Sequence, residues 1–424
     1  MPYKETVVVV GMGPSGFAYL VTEAKSGRLS EKRIIVLEKG KSLVEGNIRP
    51  HGEVNYGMGG AGTYSDGKMV ASTTVGGTIK NISKEEYFAL ADRALELMES
   101  FYPGHDGFEF KWSEPDTYLI PEGIGLTWNP TKVCHVGTER ARIIVMEIEK
   151  YLRTFPNIQF VFEAEVTQIV REEGLDKVLV IWNNISADQS DNAGSGDFIH
   201  GGVLYADRVI NSAPNIIRAS KTREVHLGFR TESDDYNKYN PIIQSNYDFK
   251  LSKEFGHARA RTFCACSNGA RVTPQLNGGK YSSWNGHGLA DGTHDKVNFG
   301  ILVTYNTEET PEQLEERMRK LNEAYPNSPY PISVIRESEF ADHYPVANEL
   351  IAFVEELDKL VGITDERIYI PEIEVVQKGL DVKRNFEMVE YPKVYTIGTA
   401  SGYARSIIQA LVSGILASEE ADLW

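Results

Sequence analysis

The chain opens with an apolar and glycine pattern that predicts a strand, a helix and a second strand. Residues 6–10 form a continuous apolar run, typical of a strand buried on both faces. A glycine turn follows at once, then an apolar helix over residues 17–26 and a strand over residues 33–37. Because a strand–helix–strand unit of this kind connects neighbouring parallel strands, the N-terminal segment predicts a parallel sheet.

Apolar residues at helical or alternating spacing predict further elements. Ser83 to Glu86 has the pattern of a capping box ahead of a helix over residues 87–101. Other helices are predicted over residues 138–155, 311–325 and 346–361, and a last one directly after the glycine turn that ends at residue 402. Strands are predicted over residues 158–162, 166–170, 177–182, 205–213 and 394–397, and a surface hairpin or loop over residues 186–202.

Two segments differ from this pattern and indicate where a ligand binds. Residues 46–82 are rich in glycine and also carry Arg49, His51 and Asp66, which favours a binding loop over a plain linker. Between residues 225 and 304 the pattern changes to short strands separated by Gly, Asn and His. We expect these strands to form a separate sheet that is one wall of a ligand pocket.

Composition indicates a fully folded chain. Of its 424 residues, 41% are hydrophobic and 25% charged, which excludes a mainly disordered protein. The 44 Lys and Arg against 60 Asp and Glu give a net charge of -16, which disfavours a nucleic-acid partner. An anionic ligand held locally by backbone N–H groups remains compatible with this charge.

Cysteine content and apolar runs indicate the compartment. Cys134, Cys264 and Cys266 are too few for a disulfide framework, which favours a reducing environment. The N-terminal apolar run is shorter than the core of a signal peptide, and no stretch approaches the roughly 18 apolar residues of a membrane span. We therefore expect a cytoplasmic protein without a membrane partner.

The first glycine turn has the spacing of a dinucleotide-binding fingerprint. Gly11, Gly13 and Gly16 form G-x-G-x-x-G between a strand and a helix, and Glu38 ends the second strand about 20 residues later. The three glycines would allow, in order, a tight turn, close approach to a pyrophosphate and close helix packing. The helix N-terminus attracts the anion, and Glu38 accepts hydrogen bonds from a ribose diol, which disfavours NADP. The alternative is a turn that serves packing alone.

A second glycine-flanked turn, over residues 397–403, favours FAD over NAD as the dinucleotide. Two helix N-termini directed at one extended ligand suit FAD, the first at its pyrophosphate and the second at the N1–C2=O edge of the flavin. Both ends of the chain then belong to one α/β, Rossmann-like FAD-binding domain over residues 1–82, 130–224 and 365–424. The inserted α+β substrate or cap domain, with a mixed sheet, comprises residues 83–129 and 225–364.

Four stretches resemble a family of bacterial FAD-dependent dehydrogenases or oxidoreductases, within the FAD-binding fold of glutathione reductase and p-hydroxybenzoate hydroxylase. They are residues 59–68 (GGAGTYSDGK), 134–140 (CHVGTER), 261–266 (RTFCAC) and 402–407 (GYARSI). This chain departs from the family at Gly398-Thr399, where an acidic residue usually follows the glycine. It also departs after Cys266, where Ser-Asn-Gly replaces Pro-Gly-Gly.

The fingerprint and the resemblance together predict the residues that contact a non-covalently bound FAD. These are Gly11, Gly13, Pro14, Ser15, Gly16, Glu38, Lys39, Gly59, Gly60, Ala61, Gly62, Thr63, Ser65, Asp66, Val166, Ala213, Gly398, Thr399, Gly402, Tyr403 and Ala404. Asp66 and Lys68 are interpreted as an ion pair or as cofactor ligands, with two solvated side chains as the alternative.

Candidate catalytic residues are His287, Tyr403 and Arg405. His287 lies in the expected substrate wall, where an imidazole is suited to proton transfer, although a structural histidine is the alternative. Tyr403 and Arg405 lie at the flavin end of the last helix, and Arg405 is suited to bind a carboxylate. Cys264 and Cys266, two apart on a strand, are interpreted as buried or pocket-lining thiols rather than a redox pair. No metal site is predicted.

The predicted function is an FAD-dependent oxidoreductase that transfers hydride between flavin N5 and a small organic substrate. Without a second G-x-G-x-x-G, electrons would come from the substrate, from transiently bound NAD(P)H or from an electron-transfer partner. The alternatives are a monooxygenase of the aromatic-hydroxylase type and a nonredox or regulatory FAD-binding protein. The sequence leaves open which of six side chains converge on the substrate: Trp128, His135, Arg261, Tyr281, Trp284 and His287.

Overall fold

The protein is described by a computed structural model that covers residues 3–44, 56–64, 67–104, 107–114, 117–171, 175–185, 201–214, 216–217, 223–243, 248–267, 271–277, 280–287, 296–377 and 379–420. Within these ranges the α-helices are α1 (Pro14–Lys25), α2 (Lys84–Glu99), α3 (Thr138–Leu152), α4 (Tyr236–Ile243), α5 (Pro311–Ala324), α6 (Ser338–His343), α7 (Ala347–Val361) and α8 (Ile407–Glu419). The strands are β1 (Glu5–Val10), β2 (Lys32–Glu38), β3 (Lys68–Ala71), β4 (Thr127–Trp128), β5 (Lys132–His135), β6 (Ile158–Phe162), β7 (Ala164–Arg171), β8 (Val178–Asn184), β9 (Gly202–Ala206), β10 (Arg208–Asn211), β11 (Arg223–Ser233), β12 (Leu251–Glu254), β13 (Ala258–Cys266), β14 (Arg271–Asn277), β15 (Tyr281–His287), β16 (Val297–Thr307), β17 (Tyr330–Pro331), β18 (Arg367–Gln377) and β19 (Val394–Thr396).

The first core surrounds a five-stranded parallel sheet in the order β19, β10, β1, β2, β6. Residues 7–10 of β1 are at most 2% exposed, as expected for a central parallel strand covered on both faces. Helices α1 and α8 pack closely, because a Cβ at Gly414 would lie only 2.2 Å from the carbonyl oxygen of Ser15. The three-stranded antiparallel sheet β7–β8–β9 adds its apolar face to the same core.

The second core lies under a seven-stranded antiparallel sheet in the order β17, β18, β11, β16, β13, β12, β4. Along β11, Val225, Leu227 and Phe229 are buried in the apolar core together with residues of α4, α5, α6 and α7. The residues between them face the opposite side, because side chains alternate along a strand. One face of this sheet is therefore apolar, and the other carries polar side chains.

The α/β class and the N-terminal strand–helix–strand unit are confirmed, with β1 and β2 parallel and in register over six residue pairs. Of the capping box predicted for α2, the structure contains the serine cap but not the reciprocal glutamate contact. Ser83 Oγ accepts a hydrogen bond from the Glu86 N–H at 3.1 Å. The Glu86 carboxylate does not complete a capping box but binds the guanidinium of Arg384.

Residues 205–213 form two strands rather than the single predicted strand. β9 pairs antiparallel with β8, whereas β10 enters the parallel sheet beside β1. The chain changes sheet at Asp207, whose backbone N–H donates to Thr6 O and whose carboxylate accepts from the Thr6 N–H, both at 2.8 Å. The partner lies about 200 residues earlier in the chain, so the break leaves little local signal.

The central segment contains longer strands than the predicted short ones. β11 and β16 each span 11 residues and pair along their whole length. β18, also 11 residues long, is not predicted from the sequence and joins the same sheet. The domain boundaries remain a prediction; β18 begins just inside the C-terminal part assigned to the nucleotide domain, and α2 packs in the first core.

Two groups of predicted features fall outside this description. Arg49, His51 and most of the segment 186–202 lie outside the described residues.

Within the described ranges, no helix combines the length and the apolar composition needed to cross a membrane.

Candidate functional site

The first glycine turn joins β1 to α1 in a conformation that excludes side chains at two positions. Gly11 has a φ of +83°, and a Cβ at Gly16 would lie 2.3 Å from the Gly11 carbonyl oxygen. Gly13 is the N-cap of α1 and Pro14 follows it, without a capping hydrogen bond from any described side chain. The first-turn N–H groups of α1 are therefore oriented as in an anion-binding helix terminus.

Glu38 lies beside this turn and is only 3% exposed. Its Oε2 accepts a hydrogen bond from the Met12 N–H and its Oε1 from the Gly40 N–H, each at 2.7 Å. The carboxylate thus connects the ends of β1 and β2, a structural role that the sequence does not predict. Each carboxylate oxygen can accept a second hydrogen bond, so acceptor capacity for a ribose diol remains.

A glycine loop, residues 57–62, packs over the first turn. A Cβ at Gly60 would lie 3.2 Å from Gly13 Cα, and a Cβ at Gly62 would lie 2.8 Å from Ile407 Cγ1. Ile407 is the first residue of α8. The loop therefore places its backbone against the N-termini of both α1 and α8.

The C-terminal glycine turn lies against α1 rather than at the start of α8. Gly398 has a φ of +61°, and a Cβ there would lie 2.4 Å from Ser15 Oγ. Helix α8 begins only at Ile407, because Ser406 and Gln409 form a capping box in which Ser406 Oγ accepts from the Gln409 N–H at 3.1 Å. The predicted helix directly after the glycine turn is therefore wrong by several residues.

A cavity of about 760 Å³ lies between these turns and the polar face of the second sheet. Ala61, Gly62, Tyr403 and Ile407 line it from the side of the first core. Among the described residues that line it, cations outnumber anions by six to three: Lys68, Lys80, Lys250, Arg259, Arg261 and Arg405 against Glu224, Asp248 and Glu374. In a chain of net charge -16, this local excess of positive charge favours an anionic ligand.

His226 on β11 is the centre of a polar cluster at this cavity. The strand register places it directly opposite Thr304 on β16 and Glu374 on β18. Its Nδ1 lies 2.5 Å from Thr304 Oγ1, and its Nε2 lies 2.9 Å from Arg405 Nη1. The same Arg405 nitrogen donates to Glu224 Oε1 at 2.6 Å. The cluster therefore links the C-terminal turn to the second sheet.

Burial and hydrogen bonding set the protonation of this cluster. Burial lowers the pKa of His226, which keeps the imidazole neutral near pH 7. The hydrogen bond from His226 and the charge of Arg405 lower the pKa of Glu224 to about 2. A neutral imidazole has one N–H, which donates either to Glu224 through Nε2 or to Thr304 through Nδ1. Both ring nitrogens are engaged within the protein, so the ring can exchange a proton with the cavity only through Thr304 or Glu224, which line it.

A second cluster contains Lys68, Asp248 and Lys250. Lys250 Nζ lies 2.7 Å from Asp248 Oδ2, and Lys68 Nζ lies 3.3 Å from the same oxygen. Lys68 Nζ also donates to the carbonyl oxygen of Ala265. The three charged side chains are at most 10% exposed, so Lys68 is a buried cavity residue and not a solvated one.

The two neighbouring thiols lie at an irregular part of β13. The pairing of β13 with β16 shifts between Phe263 and Cys266, and Cys264 has a φ of +39°. The regular strand assumed from the sequence is therefore interrupted by a bulge. Cys264 lines the cavity and Cys266 is buried, and neither forms a disulfide.

The predicted catalytic residues are only partly brought together. Tyr403 and Arg405 line the cavity, and the Tyr403 O–H donates to Leu380 O at 2.8 Å. His287 ends β15, but its side chain lies outside the description, as do Ser65, Asp66 and the side chain of Thr63. Sequence reasoning missed His226, whose signal was the alternation of Glu224 and His226 on one face of a strand.

The remaining residues predicted to contact FAD differ in their burial and in their partners within the protein. Lys39 Nζ pairs with Glu165 at 2.6 Å, and Val166 is buried in the first core. Ala213 lies beside Gly11, Thr399 is exposed and Ala404 is buried.

Of the six side chains left open by the sequence, Arg261 lines the cavity. Trp284 instead donates to Ile370 O at 3.0 Å and packs on Tyr369. Among the described residues, no group of His, Cys, Asp and Glu is arranged as a metal site.

Comparison with known proteins gives distant similarities. No protein-family model matches the chain. An uncharacterized protein of Clostridium beijerinckii (strain ATCC 51743 / NCIMB 8052) is 22% identical over 324 residues, which cover 72% of this chain and 52% of that protein. The chain thus spans about half the length of this relative.

Among solved structures, the chain resembles p-nitrophenol 4-monooxygenase PnpA from Pseudomonas putida DLL-E4, with a TM-score of 0.42 and 13% identity over 99% of this chain and 79% of that one. It also resembles aklavinone-11 hydroxylase, solved with FAD and aklavinone, with a TM-score of 0.38 and 10% identity over 95% and 58% of the two chains. Because these scores are low, we argue function from this chain's own residues.

Proposed function

We propose that the chain is an FAD-dependent oxidoreductase that transfers hydride between flavin N5 and a small organic molecule. When bound, FAD supplies the hydride acceptor or donor. The observation that carries the proposal is that the two glycine turns meet. Gly398 lies against Ser15 in the first turn of α1, and no side chain caps the N-terminus of that helix at Gly13. One extended anionic cofactor would there be bound by backbone N–H groups next to the cavity.

The residues present fit FAD at three places. The first turn of α1 would bind the pyrophosphate, and Gly13 leaves it room, because the nearest atom to a Cβ there is 3.5 Å away. Glu38 would bind the adenosine ribose through its remaining acceptor capacity. The flavin end would be held by residues that line the cavity on this side: Ala61, Gly62, Gly402, Tyr403, Arg405, Ser406 and Ile407.

The chain's own residues would then bind and orient the substrate on the opposite wall. Arg405 is fixed by Glu224 and His226, so its charge is held at the cavity without a mobile side chain. His226, neutral because burial lowers its pKa, would accept or return the proton that accompanies hydride transfer through its hydrogen bond with Thr304 Oγ1, which lines the cavity.

The cofactor is tested with the purified protein by its visible spectrum and by the mass of the released cofactor. Gly13→Ala is the informative variant, because its Cβ meets only ordinary contacts within the protein but would enter the space of a pyrophosphate. Gly202→Ala, whose Cβ would lie 3.6 Å from Trp182, is the matched control. We expect Gly13→Ala to lose most of the flavin and Gly202→Ala to keep it, while the flavin-free forms of both variants melt at the same temperature as the flavin-free parent. A protein that neither contains nor takes up flavin would refute the proposal.

Anaerobic titration with candidate substrates, NAD(P)H and reduced carrier proteins then identifies the electron donor. Bleaching of the flavin by a metabolite supports a dehydrogenase or oxidase. Oxygen uptake coupled to a hydroxylated product would instead identify a monooxygenase of the aromatic-hydroxylase type. A flavin that no donor reduces would favour a nonredox or regulatory role.

A further inference from the structure

We propose that the substrate of this cavity is an organic acid and that Arg261 binds its carboxylate. The identity of the cavity as a substrate site rests on the proposed function, whereas the affinity for an organic anion can be measured without it. Arg261 lies on the polar face of β13, where its Nη2 is 3.4 Å from His226 Nδ1, and it lines the same cavity as Arg405. It is therefore placed to select the substrate rather than to transfer a proton.

The guanidinium of Arg261 lies in the cavity wall but is only weakly engaged. Its Nη2 lies 3.4 Å from His226 Nδ1 and 3.4 Å from Glu374 Oε2, both at the outer limit of a hydrogen bond. Its guanidinium carbon lies 4.9 Å from the centre of the Phe263 ring, which holds the group in place from one side. A positioned guanidinium with long polar contacts retains its planar fork for a carboxylate.

Arg259, on the same strand and face, forms shorter polar contacts than Arg261 does. Its Nε lies 2.9 Å from Glu254 Oε1, and its Nη2 donates to Asn129 Oδ1 and Ser252 Oγ, each at 3.2 Å. Arg405 is similarly committed to Glu224 and His226. Of these three guanidiniums, that of Arg261 is the one with the longest contacts to its described partners.

Charge around Arg261 favours an acid over a neutral ligand. Arg405 adjoins the same neutral imidazole, but its charge is paired with Glu224 at 2.6 Å, whereas the charge of Arg261 has no described anion closer than 3.4 Å. Glu374 is the nearest competing anion, but its 3.4 Å contact is weaker than a bidentate carboxylate pair at normal hydrogen-bond length. An incoming carboxylate would therefore bind Arg261 more tightly than Glu374 does.

The test compares acids with their neutral amides on the purified full chain, by ligand-observed NMR and calorimetric titration. The probes are succinate against succinamide and benzoate against benzamide. We expect at least one acid to bind tenfold or more tightly than its amide. Arg261→Met should abolish this preference and Arg261→Lys should weaken it. The matched control Arg336→Met, which removes the same charge from an exposed ion pair with Glu355 outside the cavity lining, should keep it. Glu374→Gln removes the competitor and should tighten acid binding.

The proposal is overturned if neither acid binds, if acid and amide bind equally, or if Arg261→Met keeps the preference while remaining folded by circular dichroism. Flavin content is measured in the same samples. Acid binding through Arg261 in a protein without flavin would refute the proposed function and leave the anion site standing. A flavoprotein without acid preference would refute the anion site alone.

Discussion

Replacing Arg230 by Met is expected to destabilise the second core strongly. Arg230 is fully buried, and its guanidinium donates to Glu372 Oε1 at 2.9 Å, to Asn298 Oδ1 at 2.5 Å and to Cys264 O at 3.1 Å. The substitution removes these donors and leaves the buried Glu372 carboxylate without its cation. Arg230 also holds the bulge that places Cys264 in the cavity wall, through its hydrogen bond to the Cys264 carbonyl oxygen.

The magnitude follows from the burial of the remaining carboxylate. Removing one partner of a buried ion pair costs about 3–5 kcal/mol, because the other charge stays uncompensated. Glu372 has little room to turn away, since a Cβ at Gly300 would already lie 2.4 Å from its Oε2. Burial raises the pKa of Glu372, so part of the cost is relieved by protonation. At roughly 2–4 °C per kcal/mol, the melting temperature should fall by roughly 6–20 °C.

The assay is thermal unfolding followed by circular dichroism, on the parent, on Arg230→Met and on the double variant Arg230→Met with Glu372→Met. Replacing a whole buried pair by apolar residues is often neutral, so the double variant should be more stable than the single one. A single variant within about 1 kcal/mol of the parent would refute the reasoning, as would a double variant less stable than the single one.

Two further predictions concern packing and pH. Gly414→Ala should destabilise the first core by about 1–3 kcal/mol, despite a helix-propensity gain of about 1 kcal/mol, because the new Cβ would lie 2.2 Å from the backbone of α1. Thermal unfolding measures this effect, and a stabilised variant would contradict it. The lowered pKa of Glu224 contributes stability above its unfolded pKa, which is lost as pH falls from about 4.5 toward about 2. The melting temperatures of the parent and Glu224→Gln should therefore converge on acidification, and a difference unchanged at about pH 3 would contradict this.

Local features of the fold could be predicted because each depends on neighbouring residues. The glycine spacing and flanking apolar runs predict β1, α1 and β2, and the Ser83 cap is visible as a serine three residues before Glu86. The capping box of α8 is equally local, at Ser406 and Gln409, but the prediction begins the helix directly after the glycine turn, several residues too early.

The candidate site was less predictable, because its parts come from distant segments. The glycine turns and Arg405 were identified from sequence, but His226 was not, and its contact with Arg405 spans 179 residues. The bulge at Cys264 and the change of sheet at Asp207 likewise depend on partners elsewhere in the chain. Periodicity reports which face of a strand is polar, and it carries no information about what lies opposite that face.

The sequence by itself determined the class of fold, the two glycine turns and the acidic residue that ends β2, because turn geometry and helix-end electrostatics act within a few residues. Only the tertiary structure decided that Gly398 lies against Ser15 and that cations collect around one cavity of an acidic chain. It also distinguished Arg261 from Arg259, since the lengths of their contacts to Glu374 and Asn129 depend on where these distant partners lie after folding.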